Sequence, residues 1–322
     1  MWAYIVRRIF WTIPIVLGVM LLTFTLFTLI AKDPARQYAG KFATPQVLQS
    51  IRHQMGLDKP VWINRQATKE RGWSALFDSQ FCDVLFFRFQ KSMRYGESVG
   101  TLFWRKAPVS LAIQLPVFII ELGIQLVLAL FVATNRGRWP DYVTTFLAIL
   151  GMSLPALSIY LGAQWLFAAH WRIFPVAGWD VGFYAVQFAV LPIIVSVLGG
   201  IGGGTRFYRT VVLEEINADY VRTARSKGVP SRDVLLTHVL RNVMIPVLTN
   251  TVAALPGLLL GALILERLFQ IPGVGGLLVE SVFNNDRPVV MSITYMLSIA
   301  YCVMLLVTDI CYTLVDPRVT LR

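Results

Sequence analysis

The sequence is poor in charge. Asp, Glu, Lys and Arg make up 15% of its 322 residues, against about 25% in an average soluble domain. With 56% hydrophobic residues and a mean hydropathy of +0.62, this composition excludes an ordinary water-soluble chain and fits a membrane protein. Cysteine is scarce as well: Cys82, Cys302 and Cys311 are too few and too scattered for a disulfide framework. The three histidines, His53, His170 and His238, stand apart from one another and from the cysteines, so no metal site follows from spacing. A G-x-x-x-x-G-K-[ST] phosphate loop is missing too: Gly40-Lys41 has Ala35 in place of the first glycine and Phe42 in place of the hydroxyl. The glycine-rich GGIGGG, 199–204, lies inside an apolar run with no strand before it, which points to close helix packing or a hinge rather than nucleotide binding.

What is abundant is apolar sequence in long runs. Crossing about 30 Å of hydrocarbon as helix takes roughly 20 apolar residues. Six runs meet that length, approximately 9–31, 107–133, 142–169, 181–205, 243–265 and 288–308, and only the second holds a formal charge, Glu121. The first follows Arg7 and Arg8 like a signal peptide, but it is longer than a secretory core and no small-x-small cleavage site follows, so it reads as an uncleaved helix. Lys and Arg in the short loops set the orientation. A cytoplasmic N-terminus places thirteen of them inside, including Arg7, Arg8, Arg136, Arg138, Arg318 and Arg322, against Arg172, Arg267 and Arg287 in short outer loops. The long loop 32–108 carries thirteen more, but a loop of that length translocates largely regardless of charge; the net charge of +11 is therefore mostly topology signal plus one basic outer loop, and nucleic-acid binding is a poor explanation of it.

The expected fold is an all-α membrane protein of six transmembrane helices, multi-pass in the cytoplasmic (inner) membrane with both termini inside. Its parts are a tail and first helix, 1–31; an extracytoplasmic subdomain between helices one and two, 32–106; and a five-helix core, 107–322, containing a cytoplasmic loop, 206–242, between helices four and five. In the outer segment, Thr44 is placed to cap a short helix ending at Gly56, and LDKP, 57–60, reads as a turn. Trp11, Trp139, Trp165 and Trp171 fall where interfacial aromatics belong.

The inner loop contains ADYVRTARSKGVPSRDVLLTHVLRN, 218–242. Asn217 is placed to cap a short helix, Gly228 to stop it, and Ser231, after Pro230, to cap a second. A helix this short does not hold in water alone. It is either an amphipathic connector on the membrane surface or a docking element for a cytoplasmic partner.

DYVRTARSKG followed by HVLRN resembles the cytoplasmic signature loop of ABC-transporter permeases, in the form found in the oligopeptide, dipeptide and nickel branch. Ala224, Gly228 and Leu240 match the spacing of the general motif, while Arg222 and Arg241 replace its Glu and Pro, departures typical of the peptide branch. The resemblance runs along nearly the whole chain. YIVRRIFWTIPIVLGVMLLTFTLF, MGLDKPVW, YGES, PVSLAI, LERLFQIPGVGGLLVESVF, NNDRPVV and DICYTLVDPR are similar to the first permease subunit of that branch. The ending and PVSLAI lie closest to the peptide and microcin C uptake group.

The resemblance implies a second homologous permease, two ATP-binding subunits carrying ATP and Mg, an extracytoplasmic solute-binding protein and a lipid bilayer as partners, with no cofactor, metal or nucleic acid on this chain. It makes Asp219, Tyr220, Arg222, Thr223, Ala224, Arg225, Lys227 and Gly228 an ATPase-coupling segment, with Ala224 small enough for close approach of the partner and Arg222 and Arg225 available to its carboxylates. The chain then forms half of an importer's pathway for short peptides or related solutes.

Ser110, Gln114, Glu121 and Gln125 recur along one face of helix two. Ionisable groups inside a membrane face an interior or a water-filled cavity. The face is either a polar lining for the substrate or a set of hydrogen bonds between helices. Arg206 and Arg209, at the inner end of helix four, are expected to reach phosphate level. Two other classes of function stand beside the importer: a proton-coupled secondary transporter with Glu121 as the carrier, and a membrane-tethered DNA-binding protein. The second needs a recognition helix free of the membrane, whereas 218–242 is pinned by helices at both ends.

Overall fold

The computed structural model describes residues 2–29, 34–39, 43–54, 56–62, 64, 77–86, 88, 91–260 and 263–315. Among them the ordered structure is helical, and the one β-type pairing is an isolated bridge between Lys91 and Ser98. Among the described residues five helices are long and apolar enough to cross a membrane, and a bent pair makes a sixth if it counts as one span. The chain divides into two compact units, residues 1–110 with 272–306 and residues 111–271 with 307–322.

In the first unit, helix α1 (Trp2–Leu29) carries the first apolar run. Two short helices follow, α2 (Pro34–Ala39) and α3 (Pro45–Gln54). Thr44 precedes α3 as expected, its hydroxyl 3.5 Å from the amide of Val47. The far end closes at Gly56, with φ +58, as the amides of Gly56 and Leu57 bond the carbonyls of His53 and Arg52 at 3.0 and 2.8 Å. Helix α4 (Gln80–Leu85) is capped by Ser79, whose hydroxyl accepts from the Cys82 amide at 3.2 Å. Phe81 and Trp62 pack with Phe24 of α1, ring centroids 5.3 to 5.6 Å apart, so the polar segment rests on the first span through aromatic contacts.

Helix α5 (Val99–Thr134) begins in this unit. Val99, Leu102 and Phe103 bury against Val274 and Leu277, and Val289 and Ile293 of the last long helix complete the cluster. The turn before α5 is fixed by polar contacts. Asp286 accepts from the Ser92 hydroxyl at 2.6 Å and from the amides of Met93 and Arg94, while Glu280 takes the Arg94 guanidinium and the Tyr95 hydroxyl, each at 3.0 Å. YGES is thus the end of a tight turn held by two carboxylates.

In the second unit, α6 (Trp139–Ser153) and α7 (Ala156–Ala163), the latter continued by a π-helical stretch Gln164–His170, replace the single straight span expected over 142–169. They meet at an angle of 96°. The cause is Pro155: it has no amide to donate and excludes helical backbone from the residue before it. Leu154 accordingly has φ −87 and ψ 131. Helix α8 (Ala185–Ile216) then runs past α6, and Gly202 lets it approach closely, since a Cβ there would sit 2.7 Å from the Ala148 carbonyl oxygen. The short helix α9 (Asp219–Ser226) follows. One turn (Ser231–Asp233) and a π-helical stretch (Val234–Val239) lead into α10 (Leu240–Leu260). Helix α11 (Leu263–Leu268) closes this run; α12 (Val274–Phe283) and α13 (Arg287–Val315) return to the first unit, α13 ending in the second. Trp11, Trp139, Trp165 and Trp171 are all exposed, as interfacial aromatics are in the absence of lipid.

Candidate functional site

The loop singled out in the sequence folds as a helix with two chemically different faces. Val221 is fully buried and Ala224 nearly so. Both join a core with Tyr208 and Val212 of α8 and with Val234, Val239, Val243 and Val247 on the far side of the turn. Burying one such valine contributes about 1.5–3 kcal/mol, which compensates the poor intrinsic stability of an eight-residue helix. Ala224 therefore points into the chain's own core. The expectation that its small size admits a partner is corrected, because the i, i+3 pair Val221 and Ala224 is the helix's docking side.

The outer face holds Asp219, Arg222, Thr223, Arg225, Ser226 and Lys227, all exposed, with three cations and one carboxylate. Arg222 and Asp219 approach only to 3.6 Å, at 75% and 97% side-chain exposure, so this contact does little to fix either. Tyr220 lies at the border, its hydroxyl donating to Glu215 at 2.6 Å. Burial and that neighbouring carboxylate raise the Tyr220 pKa, keeping the phenol a donor.

Gly228 terminates the helix as expected. Its φ is +78, its amide bonds the Arg225 carbonyl at 3.0 Å and the Val229 amide bonds the Ala224 carbonyl at 3.3 Å. This paired closure needs a residue at positive φ, which glycine supplies without strain. The two expected N-caps are not used. Ala218 stands at the start of α9, while Asn217 closes α8, its side chain donating to the Leu213 carbonyl at 2.8 Å. Pro230 occupies the position before Ser231, and Ser231 makes no capping bond.

The polar face of α5 is resolved into separate contacts. Ser110 accepts from the Val274 amide at 2.9 Å, a bond within the first unit. In the second unit, Gln125 is buried and donates to Glu121 at 2.6 Å and to the Gly200 carbonyl at 3.1 Å. Side chains at Gly200 and Gly204 would overlap the Glu121 carboxylate and the Gln125 amide respectively, so GGIGGG is the flat surface on which this polar pair lies. Gln114 is half-buried and, among the described residues, makes no hydrogen bond.

The closest ion pair among the described residues of this unit joins positions that no spacing in the sequence pairs. Arg209 donates to both oxygens of Asp141, from Nε and Nη2, each at 2.9 Å, and the Gly137 amide adds a third bond at 3.0 Å. Asp141 is 5% exposed. Arg209 thus clamps α8 to the start of α6 rather than reaching for phosphate, while Arg206 stays exposed. An acidic residue two positions into an otherwise apolar helix was the only signal available. His170 stacks on Trp165 at 5.6 Å and 14°, an interfacial pair, and among the described residues no group of acidic, Cys and His side chains could hold a metal.

Comparison with known proteins places the sequence in a family. Residues 125–321 match the family model described as the binding-protein-dependent transport system inner membrane component, and residues 1–69 match its N-terminal companion. A putative peptide transport system permease protein of Brucella suis is 32% identical, covering 99% of both chains. A probable D,D-dipeptide transport system permease protein of Escherichia coli is 31% identical over 99% of this chain and 97% of its own. A glutathione transport system permease protein of Salmonella choleraesuis is 31% identical over 98% of each. The chain therefore belongs to the binding-protein-dependent transport system inner membrane components, the permease subunits of ABC transporters, and is a multi-pass membrane protein rather than an enzyme.

Proposed function

We propose that this permease forms half of an ATP-driven import pathway for short peptides or related solutes, and that residues 219–228 receive the conformational signal from an ATP-binding subunit. The observation that carries the reading is the two-faced α9: an apolar side locked into the chain's core, a glycine stop that fixes its direction, and an exposed cationic side whose one ion pair among the described residues is the loose Arg222–Asp219 contact. A rigid, preformed helix presents its side chains at little entropic cost on binding. Arg222, Arg225 and Lys227 suit carboxylates on the partner, with Thr223 and Asp219 beside them. Val221 and Ala224 carry any push into α8 and α10 through the core they share. The names of the relatives supply the peptide substrate class.

In this reading the partners are a second homologous permease, two ATP-binding subunits holding ATP and Mg, and an extracytoplasmic solute-binding protein; this chain binds no cofactor. Both termini and α9 are cytoplasmic and residues 32–106 lie outside, as the Lys/Arg distribution requires. A reporter fused at Ser231 labels from the cytoplasm and one at Asp78 from outside. Glu121 and Gln125 serve helix packing rather than proton carriage: the Gln125 Nε2 ties the Glu121 Oε1 and the Gly200 carbonyl together across α5 and α8. Gln114 is the member of that face left for the solute path. Arg222→Glu with Arg225→Glu should leave the permease in the membrane at normal abundance while the cognate ATP-binding subunit no longer co-purifies. Unchanged co-purification makes α9 a surface connector and defeats the assignment.

A further inference from the structure

Within the first unit, Arg287 has no anionic partner among the described residues. It opens α13, and its Nη2 donates to Thr28 Oγ1 at 3.1 Å while its Nε faces Met291 Sδ at 3.4 Å, a weak acceptor. A guanidinium offers five donors. The carboxylates in the region are committed elsewhere: Asp83 to Lys59 at 2.6 Å, and Asp286 to Ser92 and two backbone amides. Arg287 instead lines a recess of about 70 Å³, whose walls include Phe24, Leu57, Val84 and Met291, with Arg88 and the Lys59-paired Asp83 also on its lining.

We propose that this recess binds the phosphate of a phospholipid. Its position argues for lipid, because Thr28 is the last residue of the first apolar span and Arg287 the first residue of the last. The ends of spans lie at the depth where headgroup phosphates meet hydrocarbon. The charge is right, since guanidinium pairs with phosphate oxygens through two parallel hydrogen bonds. The apolar walls suit the glycerol and first acyl carbons, whereas a soluble anion has no use for them. A recess this small takes a headgroup phosphate and excludes a whole peptide. Free phosphate and a peptide carboxylate offer similar oxygens and are the alternatives to be separated by experiment.

The full-length permease, extracted in mild detergent and washed with detergent alone, should carry one retained phospholipid in native mass spectra. Arg287→Met should lower its occupancy about tenfold, as expected for loss of a charge-assisted phosphate contact. Arg287→Lys should retain part of it, and Arg172→Met, on an unrelated outer loop, all of it. Thr28→Val, which removes the hydroxyl orienting the guanidinium, should lower occupancy several-fold and serves if Arg287→Met does not fold, as judged by gel filtration. Thermal-shift titrations of delipidated protein with phosphatidylglycerol vesicles, inorganic phosphate, and a dipeptide as free acid or amide distinguish the sources. An Arg287-dependent shift with the vesicles alone supports the proposal. A wild type without retained lipid, equal retention by both variants, or an Arg287-dependent shift with free phosphate or the free-acid dipeptide instead of lipid overturns it.

Discussion

Replacing Gly228 isolates the backbone's part in holding α9. The residue sits at φ +78, and a Cβ there would meet nothing within 4 Å, so steric collision contributes nothing to the effect of a substitution. What remains is the left-handed conformation, which disfavours an ordinary L-residue by about 1–2 kcal/mol. Asparagine tolerates that region well, alanine poorly and valine worst, because branching at Cβ crowds the following carbonyl. The closure it supports consists of two hydrogen bonds, Gly228 to Arg225 at 3.0 Å and Val229 to Ala224 at 3.3 Å. If the strain is relieved by opening them, 1–2 kcal/mol increases the open population about 5–30-fold. Hydrogen exchange in lipid nanodiscs reads this directly, since amide protection follows the local opening equilibrium. Exchange at the Val229 amide should accelerate by about that factor in Gly228→Val, less in Gly228→Ala and barely in Gly228→Asn. Coupling between ATP hydrolysis and uptake should fall in the same order. Asn and Val behaving alike, at wild-type rates or both impaired, would refute the argument that φ at this position is what matters.

Other substitutions follow from contacts equally specific. Arg209→Ala leaves the buried Asp141 carboxylate without its cation and should destabilise the detergent-solubilised protein by roughly 3–5 kcal/mol, seen as lower thermal stability; adding Asp141→Asn should recover part of the loss. Gly204→Ala puts a methyl group where the Gln125 amide lies, so it should lower thermal stability, and pairing it with Gln125→Ala should restore much of the difference. Glu121→Gln keeps the shape of the Gln125 contact, and uptake should still require ATP and survive collapse of the proton gradient. In the outer segment, burial disfavours the Lys59 charge, but hydrogen bonds to Asp83 and Asp78 outweigh it and raise the pKa above the ordinary lysine value. The stabilisation from Lys59 is therefore complete below about pH 10.4 and lost as pH rises through the higher folded-state value. A thermal-stability difference between wild type and Lys59→Met that is constant from neutral pH to about 10 and shrinks above it checks the sign.

The parts of this structure legible in the sequence are those governed by local rules. Span lengths follow from bilayer thickness, and the stops at Gly56 and Gly228 from the one residue type at ease with positive φ. Hydropathy could not reveal the 96° break at Pro155, since SLPAL is as apolar as its surroundings and averaging discards backbone direction. Sequence alone does not place the caps, because Asn217 can bond backward to Leu213 as readily as forward, and the helix ahead of it claims the side chain. Ala224 alone does not orient α9; paired with Val221 three residues earlier, it marks the buried side. The Arg209–Asp141 clamp joins residues 68 apart in sequence, and no local pattern reports a pairing at that range. The spacing of Ser110, Gln114, Glu121 and Gln125 puts them on one face of α5, but the division of that face into a Ser110 contact in one unit and a Glu121–Gln125–Gly200 contact in the other depends on which backbone lies opposite.

On the proposal made above, this permease is driven by ATP through α9. The most direct test is uptake of a labelled dipeptide into vesicles reconstituted with the permease, its partner permease, the ATP-binding subunits and the solute-binding protein, with ATP inside or outside and with or without an uncoupler. Uptake should require ATP on the α9 side, persist with the uncoupler, and be lost in Arg222→Glu/Arg225→Glu while the assembled permeases remain. Uptake by this chain without any ATP-binding subunit, abolished by the uncoupler and indifferent to the α9 substitutions, would contradict the proposal.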